Sequence, residues 1–196
     1  MTLHSTLAIG LEWSAVVLNI GFTVLIAYER RTGWILGFVA ALVGVLLYGV
    51  QDAWLMAALN GFYAAMGAYG WWSWGRAAID RGIVRYKWPK HLLMLGLGVV
   101  GTIALFAAMH WLQVPGEHQG MEAFIASFAM VATWMMSDKA LENWLYWTIG
   151  DTVAVVYNHW LGYDGYALLN LVYIVLAVVG FVRWRKLLMG QEASSL

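Results

Sequence analysis

The chain has 196 residues, of which 62% are hydrophobic and 11% charged, against roughly 25% charged in soluble domains, and its mean hydropathy is +0.69. A net charge of zero excludes the basic footprint of a nucleic-acid binder. The absence of cysteine excludes disulfides and Cys-ligated zinc or iron–sulfur sites, and leaves the redox compartment unread.

An all-α polytopic membrane protein fits these limits. A helix needs roughly 20 apolar residues to cross about 30 Å of hydrocarbon. Seven runs approach that length: 7–28, 34–50, 53–73, 92–113, 120–136, 143–160 and 165–184. The opening MTLHST lacks the basic segment of a cleavable signal peptide, so the first run is expected to remain in the chain. The second run is short, and the third and sixth carry polar residues. None alternates with the period of two that a β-barrel requires.

Charge supports seven spans. The eleven basic residues are Arg30, Arg31, Arg76, Arg81, Arg85, Lys87, Lys90, Lys139, Arg183, Arg185 and Lys186. With seven spans, all of them fall in the first, third and fifth connections and the tail, counting Arg183 at the very end of the last run with the tail, on one side of the membrane. The positive-inside rule makes that side cytoplasmic, with the N-terminus outside and the C-terminus inside. The basic stretch 75–91 reads as a topology anchor that meets anionic lipid headgroups of the bilayer.

Displacing the chain by 110 residues overlays the first three runs on the last three without a gap, pairing Glu12/Glu122, Trp34/Trp144, Asn60/Asn170, Tyr63/Tyr173, Gly70/Gly180 and Trp74/Trp184. The expected organisation is a three-helix repeat at 1–74, a basic linker and linker helix at 75–119, and a second three-helix repeat with its tail at 120–196. An odd linker helix leaves both triplets in one orientation. The result is a 3+1+3 parallel repeat about an axis along the membrane normal, as in SWEET carriers.

Repeats of this kind belong to transporters, with substrate sites near the midplane. Asn60 and Tyr63 lie on one helix face with Gly67, Gly70 and Trp74; Asn170 and Tyr173 lie on another with Ala177, Gly180 and Trp184. Each polar pair either contacts substrate or bonds a neighbouring helix. In the sixth run, Trp144, Trp147 and Asp151 fall at i, i+3 and i+7 on one side. An Asp at a helix centre costs about 2.5–3.5 kcal/mol on insertion scales and normally faces a cavity or partner. No Lys or Arg lies in the interior of a span, Arg183 standing at the end of the last, to pair with Asp151, and indole faces attract cations. The constellation reads as a box for a flat cationic ring, or as a protonated structural Asp flanked by interfacial tryptophans.

The run ENWLYW, the W-x-x-W-x-x-x-D pattern it begins, and YGWWSW at 69–74 resemble the PnuC family of bacterial vitamin transporters over nearly the whole chain. The resemblance implies a multi-pass protein of the bacterial inner membrane. It would carry nicotinamide riboside downhill, with a cytoplasmic kinase trapping the product. Thiamine and, less well matched, riboflavin are the alternatives from related branches. The implied substrate-binding residues are Trp144, Trp147 and Asp151, with Asn60, Tyr63, Asn170 and Tyr173 completing the set. Nicotinamide riboside carriers more often have Asn where this chain has Asp151, which leaves the substrate open. No cofactor is implied.

Other classes fit less well. The lysines Lys87, Lys90, Lys139 and Lys186 sit in loops or at ends, which excludes a retinal Schiff base inside the bundle. Neither G-x-S-x-G nor H-E-x-x-H occurs, and the histidines lie near span ends, so an enzyme is not expected. A receptor or assembly protein is the second alternative. Gly- and Ala-rich faces permit association into homo-oligomers without specifying it.

Overall fold

The computed structural model describes residues 3–76 and 82–194, apart from the side chains of residues 3–9 and Glu12. Arg81 and the Glu12 half of the Glu12/Glu122 match thus lie outside the description. Among the described residues the chain forms seven helices: α1 (Leu3–Ala27), α2 (Gly33–Gly49), α3 (Trp54–Trp74), α4 (Trp88–Trp111), α5 (Gln119–Ser137), α6 (Asn143–Trp160) and α7 (Asp164–Ser194). Each overlies one of the seven apolar runs. Two differences stand out. The fourth helix begins at Trp88, where Pro89 fits the first turn because that turn has no use for its missing N–H. The last helix continues ten residues beyond Trp184 to Ser194.

By length and composition, α4, α5 and α7 can each cross a membrane, while Trp13–Ala27 and α2 are shorter apolar helices.

The chain divides into two compact units, 1–80 and 81–196. In the first, α2 packs between α1 and α3; in the second, α4 packs on α5, α5 on α6 and α6 on α7. The linker helix thus belongs to the second unit.

The connections share one device. Five helices end with a residue at positive φ: Glu29 (53°), Asp52 (57°), Gln113 (52°), Lys139 (55°) and Gly162 (74°). In each case the next N–H reaches back to a carbonyl in the last turn of the helix: Arg30 to Leu25, Ala53 to Tyr48, Val114 to Met109, Ala140 to Met135 and Tyr163 to Asn158, at 2.8–3.0 Å. These are Schellman closures, which satisfy carbonyls that the helix end orphans. Four of the five (29 and 139, 52 and 162) fall 110 residues apart.

α3 stops by a different means. Arg31 Nε donates to the Trp71 carbonyl at 2.6 Å, and its guanidinium carbon lies 3.7 Å from the centre of the Trp71 ring. A Cβ on Gly75 would collide with that guanidinium. Only glycine leaves room for a cation over the negative end of the helix.

Candidate functional site

Each unit buries a tryptophan at the start of a helix, Trp34 in α2 and Trp144 in α6. In the second unit Trp144 is 1% exposed. It meets Trp184 edge to face, ring centres 5.3 Å apart and planes at 83°. A Cβ on Gly180 would lie 2.6 Å from its ring carbons. In the first unit Trp34 meets Trp74 at 5.6 Å and 81°, and a Cβ on Gly70 would enter its ring. In both, a glycine opens the space that the indole fills. Trp144 is thus enclosed by α7, and its ring forms part of the packing between α6 and α7.

The other residues of that side of α6 have different surroundings. Trp147 is half-buried against the cluster of Tyr86, Met94, Ala132, Met135, Ala140 and Tyr146. One turn on, Asp151 is 9% exposed. Among the described residues no side-chain hydrogen bond or ion pair engages its carboxylate. The indole Nε1 atoms of Trp144 and Trp147 and Oδ1 of Asn143 are buried without a hydrogen-bond partner. Such atoms are rare in native proteins, because each forfeits about 1–3 kcal/mol of solvation. Three buried polar atoms and the Asp151 carboxylate along α6 thus lack partners, while Asn143 keeps one bond, from Nδ2 to the Ala140 carbonyl at 2.7 Å. Asn143 has no counterpart in the pattern read from sequence. It reads there as an ordinary helix-start residue, and its complete burial is visible only in the fold.

The asparagine–tyrosine stripes stay on their helices. Asn170 Nδ2 donates to the Tyr166 carbonyl at 2.8 Å, and Asn60 Nδ2 to the Met56 carbonyl at 2.9 Å. Each amide therefore keeps its oxygen without a bond to a neighbouring helix, although Asn60 Oδ1 occupies the space that a Cβ on Gly44 would need. Tyr173 is close enough to Asp151 to feel its charge. Tyr63 is half-buried beside Phe62, ring centres 5.6 Å apart. In the second unit, then, α6 and α7 bring Asp151 and Tyr173 near one another; in the first, Asn60 and Tyr63 share a face of α3. Among the described residues no group of three or more His, Asp or Glu side chains could hold a metal ion.

The sequence profile of the family described as "Nicotinamide mononucleotide transporter" matches residues 9–186. The chain belongs to that family. Nicotinamide riboside transporter PnuC of Escherichia coli (strain K12) and its namesake in Shigella flexneri are each 25% identical to it over 183 residues, covering 79% of this chain and 75% of theirs. The crystal structure of the vitamin B3 transporter PnuC superposes with a TM-score of 0.71 at 18% identity, over 90% of this chain and 81% of that one. The likeness establishes the fold. The PnuC resemblance carried by ENWLYW and YGWWSW is therefore correct, and the chain is a multi-pass membrane transporter of the PnuC family.

Proposed function

We propose that this transporter carries nicotinamide riboside across the bacterial inner membrane, downhill, with cytoplasmic phosphorylation trapping what enters. The observation that supports it most is Asp151, a carboxylate nine-tenths buried in a helical bundle with no cation beside it among the described residues. A permanently cationic pyridinium ring supplies the missing charge, and the Trp147 indole adds cation–π attraction of roughly 0.5–2 kcal/mol. Both named relatives are nicotinamide riboside transporters by name. On this reading Trp147, Asp151, Asn170 and Tyr173 contact substrate in the second unit, and Asn60 and Tyr63 play the orienting part in theirs. Trp144 acts from behind, by fixing α6 on α7.

The same carboxylate favours thiamine as the second reading, since thiamine presents both a cation and an amino group. Riboflavin is uncharged and the weakest match. The proposal includes seven spans, an outside N-terminus and a cytoplasmic C-terminus, and a duplicated triplet at 1–74 and 120–196 joined by 75–119. The recurrence of the Trp–Gly–Trp packing and of the positive-φ turns at a spacing of 110 residues supports the duplication.

Proteoliposomes holding the purified chain test the function. Labelled nicotinamide riboside should equilibrate across the bilayer, faster than thiamine and far faster than riboflavin. Saturable binding without flux would favour a receptor instead.

A further inference from the structure

The linker grips the start of α6. Val84 forms an isolated parallel bridge with Ala140: its N–H donates to the Lys139 carbonyl at 3.0 Å, and Leu141 N–H donates to the Val84 carbonyl at 2.8 Å. On one side of that bridge, Asp138 accepts the Tyr86 hydroxyl at 2.8 Å and the Lys90 ammonium at 3.0 Å. On the other side is Glu142. It stands at the N-cap of α6 yet makes no side-chain cap bond. A carboxylate there ordinarily bonds the free N–H groups of its own helix. Instead Glu142 turns to the linker: Oε2 accepts the Tyr86 N–H at 3.2 Å, and Oε1 lies 3.7 Å from Arg85 Nε and 3.9 Å from His91 Nε2.

We infer that Glu142 is a positioning residue for the Trp147–Asp151 face of α6, and that the linker's hold on it tightens when His91 takes up a proton. The first part follows from place. Glu142 directly precedes the helix, so whatever fixes it fixes where α6 begins and how it is turned. The second follows from the surroundings of the imidazole. His91 stacks on Tyr146, ring centres 6.2 Å apart at 17°, with Nδ1 3.4 Å from the Tyr146 hydroxyl. Glu142 and Tyr146 face it from α6, Arg85 and Tyr86 from the linker, Lys90 from its own helix, and Asp138 from α5 by way of Lys90. Burial first, and then the hydrogen bond to Asp138, pushes the Tyr86 phenol up, so it remains a donor throughout. Histidine is the side chain here that ordinarily changes charge between pH 5 and 8. Its protonated form completes an ion pair with Glu142 in a place shielded from water, against the opposing charges of Arg85 and Lys90. Protonation of His91 therefore strengthens the hold, and loss of the proton relaxes it.

The consequence for function rests on the reading that the Trp147–Asp151 face meets substrate. Hydrogen–deuterium exchange of the full chain in lipid nanodiscs tests the hold without any ligand. After correction for intrinsic exchange, wild-type protection across 143–151 should rise by roughly threefold to tenfold from pH 8.5 to pH 6, the range of a partly buried ion pair. His91→Gln and Glu142→Gln should both lose that rise, whatever their absolute protection; the Gln at 142 keeps an acceptor for Tyr86. The same rise in either variant as in wild type overturns the inference. Nicotinamide riboside, whose charge is fixed over this range, then provides the second measurement. Wild type minus His91→Gln should leave an affinity gain on acidification, and its absence despite a lost protection change overturns the positioning role. If wild type binds no nicotinamide riboside, the functional reading fails while the exchange data still decide whether His91 and Glu142 hold α6.

Discussion

Trp144 and Trp184 meet edge to face at 5.3 Å over Gly180, and Trp34 and Trp74 repeat the arrangement at 5.6 Å over Gly70. In each unit the glycine is the complement of an indole. Gly180→Ala should therefore destabilise the protein, although alanine is the better helix former by about 1 kcal/mol. Overpacking of this kind costs about 1–3 kcal/mol, read as a lower melting temperature in detergent. Combining it with Trp144→Leu should recover part of the loss. Strict additivity of the two changes would show that the contact carries no energy.

Asp151→Asn keeps the shape of the side chain and removes its charge. Affinity for nicotinamide riboside should fall by roughly ten- to a hundredfold, the equivalent of about 1.5–3 kcal/mol for a charge-assisted contact. An uncharged analogue of similar size should lose much less. Parallel titrations with the two ligands check this, and equal losses would remove the cation from the argument.

Asn60→Leu and Asn170→Leu probe the stripes. Each asparagine bonds only its own helix in the contacts described, and leucine suits a membrane helix at least as well. Both variants should insert and fold normally yet bind substrate more weakly. Unchanged uptake in both would reduce the stripes to packing.

The turn after α6 gives a backbone test. Gly162 has φ 74°, and the corresponding turn after α2 places Asp52 at 57°. Gly162→Asp should be tolerated, because Asp enters the left-handed region more readily than most residues, whereas Gly162→Val should cost about 1–2 kcal/mol. Melting temperatures of the pair decide it.

A tag before Met1 should be reachable from outside the cytoplasmic membrane and one after Leu196 only from within. Protease protection in oriented vesicles reads both. Termini on the same side would remove the parallel repeat.

The fold was legible where composition was continuous. The apolar runs located every helix, and α6 was found despite Asp151 because Trp144, Trp147 and the residues between keep it greasy. Positive-φ turns were not legible, since Glu29, Asp52, Gln113 and Lys139 use the left-handed conformation without the glycine that signals it. The end of α7 was missed because residues after Trp184 turn polar, and hydropathy reports membrane depth more readily than helicity. The W-x-x-W-x-x-x-D spacing placed three side chains on one side of a helix. It could not say that Gly180 had made room there for the first tryptophan, because periodicity describes one helix and not what lies opposite. Glu142 and His91 looked like loop charges for the same reason: their meaning comes from a strand bridge between segments more than fifty residues apart.

The Arg31 cap on α3 has a counterpart only as an absence: position 141 is leucine, position 185 is arginine where α3 has Gly75, and α7 runs on. If one ancestral triplet was copied in tandem, only the first copy had to acquire punctuation. Its last helix must release the chain into a linker, and a lone arginine parked over a glycine is the full stop. The last helix of the second triplet runs on instead, and it reaches the linker: with the Gln191 amide turned so that donor meets acceptor, it exchanges two hydrogen bonds with the backbone of Ile83, at 3.1 and 3.3 Å. Duplication of this kind would leave its mark less in the matched letters than in the one sentence that had to end.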